Sequence, residues 1–183
     1  MRENLIFMIK LFVLSLFGIL KVYSKEITIR YNDNNWKKLK SVIKDNQNDN
    51  ELILRFVDNY YLFVFDDLEF SMEISIYSNV KFIGNNNGTV FDFDNNFQAF
   101  KTEYSRNKGD TLKYENIIFK NFKYHTISKG IGIMVLSSKS DNFTLAFENC
   151  TFQDNYNSLL YLDVNNQKIS KNDYSVIINN CNF

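Results

Sequence analysis

The chain has 183 residues, of which 45% are hydrophobic and 23% charged, so it contains enough apolar material for one packed domain. Basic and acidic residues are balanced at 21 each, and the sequence therefore lacks the basic excess that is typical of nucleic-acid binders. There are 18 Phe, 11 Tyr and no Pro, a bias that favours strands, although an AT-rich genome would produce part of the same bias.

Residues 1–24 have the three-part layout of a secretory signal peptide: an early positive charge, a ten-residue apolar run and a small residue at the end. The rival interpretation is an uncleaved membrane anchor. However, the apolar stretch contains Lys10 and is shorter than the roughly 20 residues that a spanning helix needs. We therefore expect cleavage after residue 24, a mature domain of residues 25–183 that is secreted, and no membrane span after cleavage.

The mature domain begins with one strand and one helix. Residues 26–30 predict a short strand, and the segment Trp36–Lys44 has apolar residues at helical spacing with lysines on its other face. After Asn50 the period changes to two, beginning with the alternating apolar residues of 52–56. Short apolar runs then recur between turns rich in Asn, Asp and Ser. We predict one amphipathic helix, with β-structure in the rest of the domain.

An internal repeat is the strongest pattern in the chain. Three segments align without an internal gap, at offsets of 33 and 31 residues, and a weaker copy begins at Val80. The three segments are 112–119 (LKYENIIF), 145–152 (LAFENCTF) and 176–183 (VIINNCNF).

Within each copy the alternation of apolar residues changes parity at an Asn. Leu112 and Tyr114 share one face, whereas Ile117 and Phe119 follow the opposite parity. A sharp bend at Asn116 would bury both pairs on one side, and Asn tolerates the left-handed backbone conformation that such a bend requires.

Stacking the copies at the usual strand spacing of about 4.8 Å aligns like residues in three columns. An Asn amide could then donate to the next, at roughly 1 kcal/mol net per bond. The three columns are Asn116, Asn149 and Asn180; Ile117, Cys150 and Cys181; and Phe119, Phe152 and Phe183.

These segments resemble the coils of the pectin-lyase-like superfamily, in which an apolar pair, an Asn at the bend and then Cys-x-Phe or Ile-x-Phe recur. The stretch 78–92 is similar to an early-coil pattern of the same superfamily. The resemblance implies an all-β, right-handed parallel β-helix, a solenoid whose N-terminal end is covered by a short amphipathic capping helix, here Trp36–Lys44. The motifs of the superfamily's enzymes, Asn-Thr-Asp, Gly-His-Gly and Trp-Ile-Asp-His, do not occur in the sequence, so the resemblance transfers no catalytic residue.

The chain departs from the superfamily at its end, where it stops at Phe183 without a capping element. An uncovered terminal coil exposes strand edges to other chains. Two interpretations are open: the gene product is truncated at its C-terminus, which we favour, or the uncapped end associates with another chain.

Two pairs of carboxylates are candidate binding residues. Glu115 and Glu148 occupy matching outward positions of the repeat, and stacking would bring them about 5 Å apart. Asp92 and Asp94 flank one residue and would share a face. Either pair could bind calcium or perform acid–base chemistry on a sugar. The structural alternatives are solvated side chains at Glu115 and Glu148, and ordinary turn formers at Asp92 and Asp94.

Other polar and aromatic residues carry weaker signals. His125 is the only histidine and has no nucleophile motif near it, and the two cysteines have no partners at metal-ligand spacing. We expect Cys150 and Cys181 to be two buried thiols in contact, with a strained disulfide as the alternative, because parallel side-chain vectors suit a disulfide badly. Exposed aromatics that could stack on sugar rings are Tyr60, Tyr61, Tyr104, Tyr124 and Tyr156.

Glycosylation sequons begin at three asparagines, Asn87, Asn142 and Asn149. We expect sugar on Asn87 and Asn142. We expect none on Asn149, since the repeat would place it in a buried column.

The function expected from these patterns is a non-catalytic, extracellular β-helix that acts as an adhesin-like or surface-binding module. Its partner would be an extracellular glycan or a surface protein, with no nucleic acid and no cofactor. The alternative is a polysaccharide-active lyase or glycoside hydrolase, or a fragment of one, that uses Glu115 with Glu148 or Asp92 with Asp94. A third interpretation is a truncated remnant without an independent role.

Overall fold

The computed structural model describes residues 24–33, 38–47, 51–63, 71–94, 99–105, 109–123, 132–139, 142–156, 158–164 and 175–183. These segments form a parallel β-solenoid of about four turns. It contains one helix, α1 (Leu39–Asn46), and fourteen strands: β1 (Ser24–Ile29), β2 (Glu51–Phe56), β3 (Tyr60–Leu62), β4 (Ser71–Ile76), β5 (Asn79–Ile83), β6 (Thr89–Asp92), β7 (Ala99–Tyr104), β8 (Thr111–Glu115), β9 (Ile117–Lys120), β10 (Met134–Ser138), β11 (Thr144–Glu148), β12 (Thr151–Gln153), β13 (Leu160–Val164) and β14 (Val176–Asn179).

Three parallel sheets run along the solenoid, and each complete coil gives one strand to each sheet. Sheet A has the order β1-β2-β5-β8-β11-β14, sheet B the order β12-β9-β6-β3 and sheet C the order β13-β10-β7-β4. Every strand pairing between neighbours is parallel, so residues of successive coils stand directly above one another in columns. The predicted β-structure after Asn50 is confirmed for the described residues.

The register of sheet A confirms the sequence repeat. Leu112 pairs with Leu145, which pairs with Val176, and the weaker copy joins the same column because Val80 pairs with Leu112. The three asparagines that were predicted at the bend all adopt left-handed backbone conformations between sheets A and B. Their φ angles are 56° at Asn116, 52° at Asn149 and 52° at Asn180.

One expectation about this corner is wrong. Asn149 is exposed, not buried, because the corner column lies at the surface of the solenoid, where the chain passes from sheet A to sheet B. The amide of Asn180 donates from Nδ2 to Oδ1 of Asn149 at 2.6 Å, so the predicted amide hydrogen bond between these two members of the Asn column forms. The side chain of Asn149 is therefore accessible, and burial does not protect it from glycosylation.

Aromatic rings fill the interior in columns that follow the repeat. Phe152 stacks on Phe119 with ring centroids 5.1 Å apart, and Phe183 stacks on Phe152 at 5.3 Å. In the neighbouring column, Tyr114 and Phe147 stack at 5.4 Å and both are fully buried. Each such pair adds about 0.5–1.5 kcal/mol beyond the area that it buries. Because side chains fill the interior of the solenoid, a ligand would bind to its outer faces or corners.

The helix belongs to the first coil and packs beside β4, the outermost strand of sheet C. Its apolar face buries Leu39 and Ile43. Just after the helix, Gln47 donates from Nε2 to the carbonyl oxygen of Ser75 at 2.7 Å and accepts the N–H of Tyr77 at 3.0 Å. The Gln47 side chain is thereby hydrogen-bonded to the backbone at the C-terminal end of β4. Trp36, where the helix was predicted to begin, lies outside the described residues.

Candidate functional site

Glu115 and Glu148 are direct neighbours on the outer face of sheet A, as predicted, because β8 and β11 pair in that register. A lysine lies between them: the Lys113 ammonium contacts Glu115 Oε2 at 2.9 Å and also bonds to Glu148 Oε2. Burial alone would lower the pKa of Lys113, but the bonds to Glu148 and Glu115 more than offset this effect and leave the pKa raised. The two carboxylates therefore already share a cation supplied by the protein.

Asp92 is buried at the end of β6 with both carboxylate oxygens bonded. Tyr60 donates its hydroxyl to Oδ2 at 2.8 Å, while Asn121 Nδ2 and the Asp94 N–H both donate to Oδ1 at 2.9 Å. Burial raises the pKa of Asp92, but these hydrogen bonds and the charge of Lys120 outweigh it, so the pKa lies below its usual value. The arrangement holds neighbouring coils together at this corner.

Asp94 differs from Asp92 in environment. It is exposed and has a left-handed φ of 52°. Its backbone N–H, not its carboxylate, makes the bond that joins the two residues. The pair thus behaves as a turn in which Asp92 accepts from the backbone two residues further on, a common role for Asp.

No group of three or more His, Cys, Asp or Glu side chains within the described segments is arranged to hold a metal ion. His125 and Tyr124 lie outside those segments, so the structure does not place them.

Both cysteines are free thiols, Cys150 fully buried and Cys181 half-buried. Burial is the main reason that the pKa of Cys150 rises to about 12, and the neighbouring Cys181 adds to the increase. The expectation of two thiols in contact holds, but the expectation that both are buried is wrong for Cys181. It lies just after β14 (Val176–Asn179), which pairs with β11 and with no other strand of the described segments.

The candidate tyrosines divide between surface and core. Tyr60 and Tyr156 are exposed by 43% and 73%, and the ammonium of Lys123 lies 4.8 Å from the centre of the Tyr156 ring. Tyr61 and Tyr104 are buried, so they cannot stack on a ligand at the surface. The sequon residues Asn87 and Asn142 are both exposed.

The sequence did not indicate the polar groove on sheet C. It has a volume of about 480 Å³ and lies at the C-terminal ends of β7, β10 and β13. We call it the sheet C groove; the described residues that line it are Glu103, Tyr104, Ser137, Ser138, Lys139, Asp163 and Val164.

Register places the polar groups of this groove in one row. Glu103 pairs with Ser137, and Ser137 pairs with Asp163, so the hydroxyl of Ser137 stands between two carboxylates on adjacent strands. Glu103 and Asp163 are exposed, and Ser137 is half-buried. At about 4.8 Å per strand, the backbones of the two acidic residues are about 10 Å apart. The row can therefore present acceptors and a hydroxyl to a ligand that lies across the strands.

The sequence could not reveal this row by repetition, because Glu103, Ser137 and Asp163 are different residue types. The available signal was alternation: Phe100, Thr102 and Tyr104 predict a strand, and so do Met134 and Leu136. Alternation alone gives no register between strands, and register is what brings the row together.

A second groove, of about 390 Å³, lies at the corner between sheets A and B. Asn85, Asn87 and Arg55 are among its lining residues, and Asn85 donates from Nδ2 to Oδ1 of Asn59 at 2.7 Å. Because Asn87 is a sequon residue, sugar attached there would occupy this corner.

None of the three comparisons with known proteins identifies a relative: no family model, no curated protein and no solved structure matches the chain significantly. Among the helices of the described segments, none is both long and apolar enough to cross a membrane.

Proposed function

We propose that this protein is a secreted, non-catalytic, right-handed parallel β-helix of the pectin-lyase-like type that binds extracellular glycans through the sheet C groove. The observation that carries the proposal is the row of Glu103, Ser137 and Asp163 on the outer face of a solenoid whose interior is already filled. Such a row suits a sugar, because the carboxylates can accept hydrogen bonds from sugar hydroxyls and the serine hydroxyl can both donate and accept.

An aromatic side chain next to the row supports a glycan as the ligand. Tyr161 stands two residues before Asp163 on β13, so both residues are on the same outer face, and it is 39% exposed. An exposed ring beside polar groups can pack against the apolar face of a sugar while the polar groups bind its hydroxyls.

The other candidate carboxylates are bonded within the protein, and this supports a binding role in preference to catalysis at those positions. Glu115 and Glu148 are bonded to Lys113, and Asp92 has both oxygens occupied inside the corner. A general acid or base has to reach its substrate, and these groups point to partners within the protein.

We also propose that the protein is exported and that its helix caps the solenoid. The segment 1–24 supplies the export signal, and cleavage after Ser24 would leave most of β1 in the mature protein. Helix α1 would act as the N-terminal cap, because it packs beside the outermost strand of sheet C and Gln47 bonds backbone groups at Ser75 and Tyr77. Capping of a solenoid end is a common requirement of repeat proteins.

The test is a glycan array probed with the secreted protein and with a variant whose groove is filled. Ser137→Trp should abolish retention, because the indole occupies the space between Glu103 and Asp163. Thr111→Trp places the same side chain on the outer face of sheet A and is the matched control, which should bind as the wild type does. Equal binding by both variants, or no glycan retained by the wild type, would refute the proposal.

A second candidate, a polysaccharide-active enzyme, draws support from the same row. The two carboxylates of inverting glycoside hydrolases are about 6.5–9.5 Å apart, and Glu103 and Asp163 stand two strand spacings apart, at about 10 Å between backbones. A reducing-end assay on the glycans retained by the array separates the two functions. Release of new reducing ends that is lost in Glu103→Gln and Asp163→Asn would favour the enzyme.

A further inference from the structure

We infer that the N-glycan of Asn87 is bound by the protein itself: its first sugar residue lies in the groove at the corner between sheets A and B and stabilises the solenoid. We call this site the corner groove; Arg55, Asn59 and residues 85–87 are among the described residues that line it. The inference rests on the export that forms part of the proposed function, because N-glycans belong to secreted chains. It goes beyond that function, since it concerns a different surface from the sheet C groove.

Hydrogen bonds of Asn85 hold the loop that carries Asn87 in a fixed position. The Asn85 side chain donates from Nδ2 to Oδ1 of Asn59 on the preceding coil at 2.7 Å, and its own Oδ1 accepts the N–H of Asn87 at 3.0 Å. The N–H of Gly88 donates to the carbonyl oxygen of Asn85 at 3.0 Å and closes the turn. A fixed attachment point lowers the entropic cost of holding the first sugar in one place.

The two ends of this loop are packed against neighbouring coils. Thr89 is fully buried, and its Oγ1 accepts the N–H of Asn85 at 3.0 Å and donates to the carbonyl oxygen of Asp58 at 3.2 Å. At the other end, a side chain on Gly84 would collide with the carbonyl oxygen of Asn116 on the next coil. The loop therefore cannot shift away from the groove without breaking contacts of the solenoid.

The corner groove has the size and the chemistry for a sugar residue. Its volume of about 390 Å³ lies within the roughly 300–1,000 Å³ of small-molecule sites. The side chains of Asn86 and Asn87 make no hydrogen bond with another described residue, and Arg55 uses two of its five N–H donors on Glu26. Unused amide and guanidinium donors match the hydroxyl and acetamido oxygens of an N-linked sugar.

The position of Asn87 directs its glycan to this groove. Asn87 is exposed and lines the groove, so a sugar on its side chain begins beside that space. Attachment forms a bond between Asn87 Nδ2 and the anomeric carbon of the sugar, while the bond from that carbon to the lipid diphosphate of the donor breaks and the amide loses a proton. Packing the first sugar in the groove then removes apolar area of both partners from water, which an extended glycan would not do.

Peptide N-glycosidase, which cuts the bond between Asn and its sugar, tests the inference on the protein secreted by a eukaryotic cell. The glycan of Asn87 should be released at least about tenfold more slowly from the native protein than from the denatured one, because release requires the corner to open. Asn142 is exposed and is not among the described residues that line either groove, so its glycan should be less protected. Equal rates at Asn87 in the native and denatured protein would overturn the inference.

A pair of variants tests whether the fixed loop causes the protection. Asn85→Ala removes the bonds to Asn59 and from the Asn87 N–H but keeps the sequon, and it should speed release from the native protein several-fold. Asn155→Ala is the matched control, because Asn155 also donates to one backbone or side-chain group of another coil and accepts one backbone N–H, at the corner after sheet B. Equal protection in both variants would overturn the role of the loop.

Thermal unfolding tests whether the glycan stabilises the fold. Asn87→Gln removes the glycan and should lower the Tm of the secreted protein by about 2–4 °C. Asn86→Gln makes the same change one residue earlier, leaves the glycan in place and should stay within about 1 °C of wild type. An unchanged Tm in Asn87→Gln would show that the glycan is not part of the structure.

The outcomes separate the inference from the proposed function. A secreted protein without sugar on Asn87 would overturn the inference while export stands. A chain that stays inside the cell without any glycan would refute the export, and the inference would fail with it.

Discussion

Phe119 and Phe152 stack face to face, with ring centroids 5.1 Å apart and planes within 7° of each other, although they belong to different coils. The contact exists because β9 and β12 pair in parallel with these two residues directly opposite. It links the sequence repeat to the packing of the core, since the same position of each repeat supplies the next ring of the stack. The exposed ring of Phe183 continues the stack at 5.3 Å.

Replacing Phe152 by Ala should lower the free energy of unfolding by about 3–5 kcal/mol, because the ring is buried between Phe119 and Phe183 and its removal leaves a cavity. Urea denaturation followed by circular dichroism measures the loss. Phe183→Ala removes a ring that is 78% exposed and should cost much less. A loss below about 1 kcal/mol for Phe152→Ala would contradict its position in the core.

Because the pKa of Asp92 is lowered in the folded protein, we expect the free energy of unfolding to depend on pH. The pKa of its carboxyl is lowered from 3.8 in the folded state, so its contribution is present above that value and is lost as the pH falls through the folded pKa. Asp92→Asn should therefore be less stable than wild type by about 1–3 kcal/mol at pH 7, with the difference shrinking towards pH 2. Denaturation curves at both pH values give the comparison.

Asp94→Asn is the matched control for this experiment, because Asp94 is exposed and its carboxylate makes none of the three bonds to Asp92. It should stay within about 0.5 kcal/mol of wild type at either pH. A constant gap between Asp92→Asn and wild type across the pH range would show that the charge of Asp92 has no role.

The two thiols should react at different rates with an aromatic disulfide reagent at pH 8. Cys181 is half-buried and should react in the native protein, whereas Cys150 is buried with a pKa of about 12 and should react only after unfolding. Titration with and without denaturant counts the thiols in each state. An intact mass lower by two hydrogens without reductant would instead show that a disulfide had formed.

Export and glycosylation are tested together by expression in a eukaryotic secretory cell. The medium should contain a protein that begins at Lys25 and carries N-glycans at Asn87 and Asn142, both of which are exposed. Peptide mass spectrometry identifies the N-terminus and the modified asparagines. A product that stays inside the cell and retains residues 1–24 would contradict secretion.

The sequence was most informative where structure repeats. Leu112, Asn116 and Phe119 have equivalents one coil away, so the strands, the corner and the ring stack could be predicted from the sequence. Burial at the corner was not predictable from the repeat: Asn149 has the expected backbone but an exposed side chain. The repeat also does not indicate how far along the solenoid a coil lies. Cys181 belongs to the last described coil and is therefore less buried than Cys150.

The candidate sites, too, could be predicted only in part from the sequence. The predicted neighbours Glu115 and Glu148 do adjoin, but Lys113, two positions before Glu115 on the same outward face, was not recognised as their partner. Glu103 and Asp163 were not predicted because the strands of sheet C share no sequence pattern, and only their pairing through Ser137 brings them into one row. Long-range register decides such sites, and alternation along a single strand does not contain it.

Successive coils stack in register along sheet A. Thr28, Glu148 and Asn179 occupy one outward column, in which Asn179 is five strand spacings and Glu148 four from Thr28. Nitroxide labels at Thr28 and Asn179, in a chain carrying Cys150→Ala and Cys181→Ala, allow pulsed electron paramagnetic resonance to measure the separation. The stacked coils predict a distribution centred near about 24 Å, and near about 19 Å when the second label moves to Glu148. A distance beyond about 40 Å, or no change between the two label pairs, would contradict the stacked arrangement.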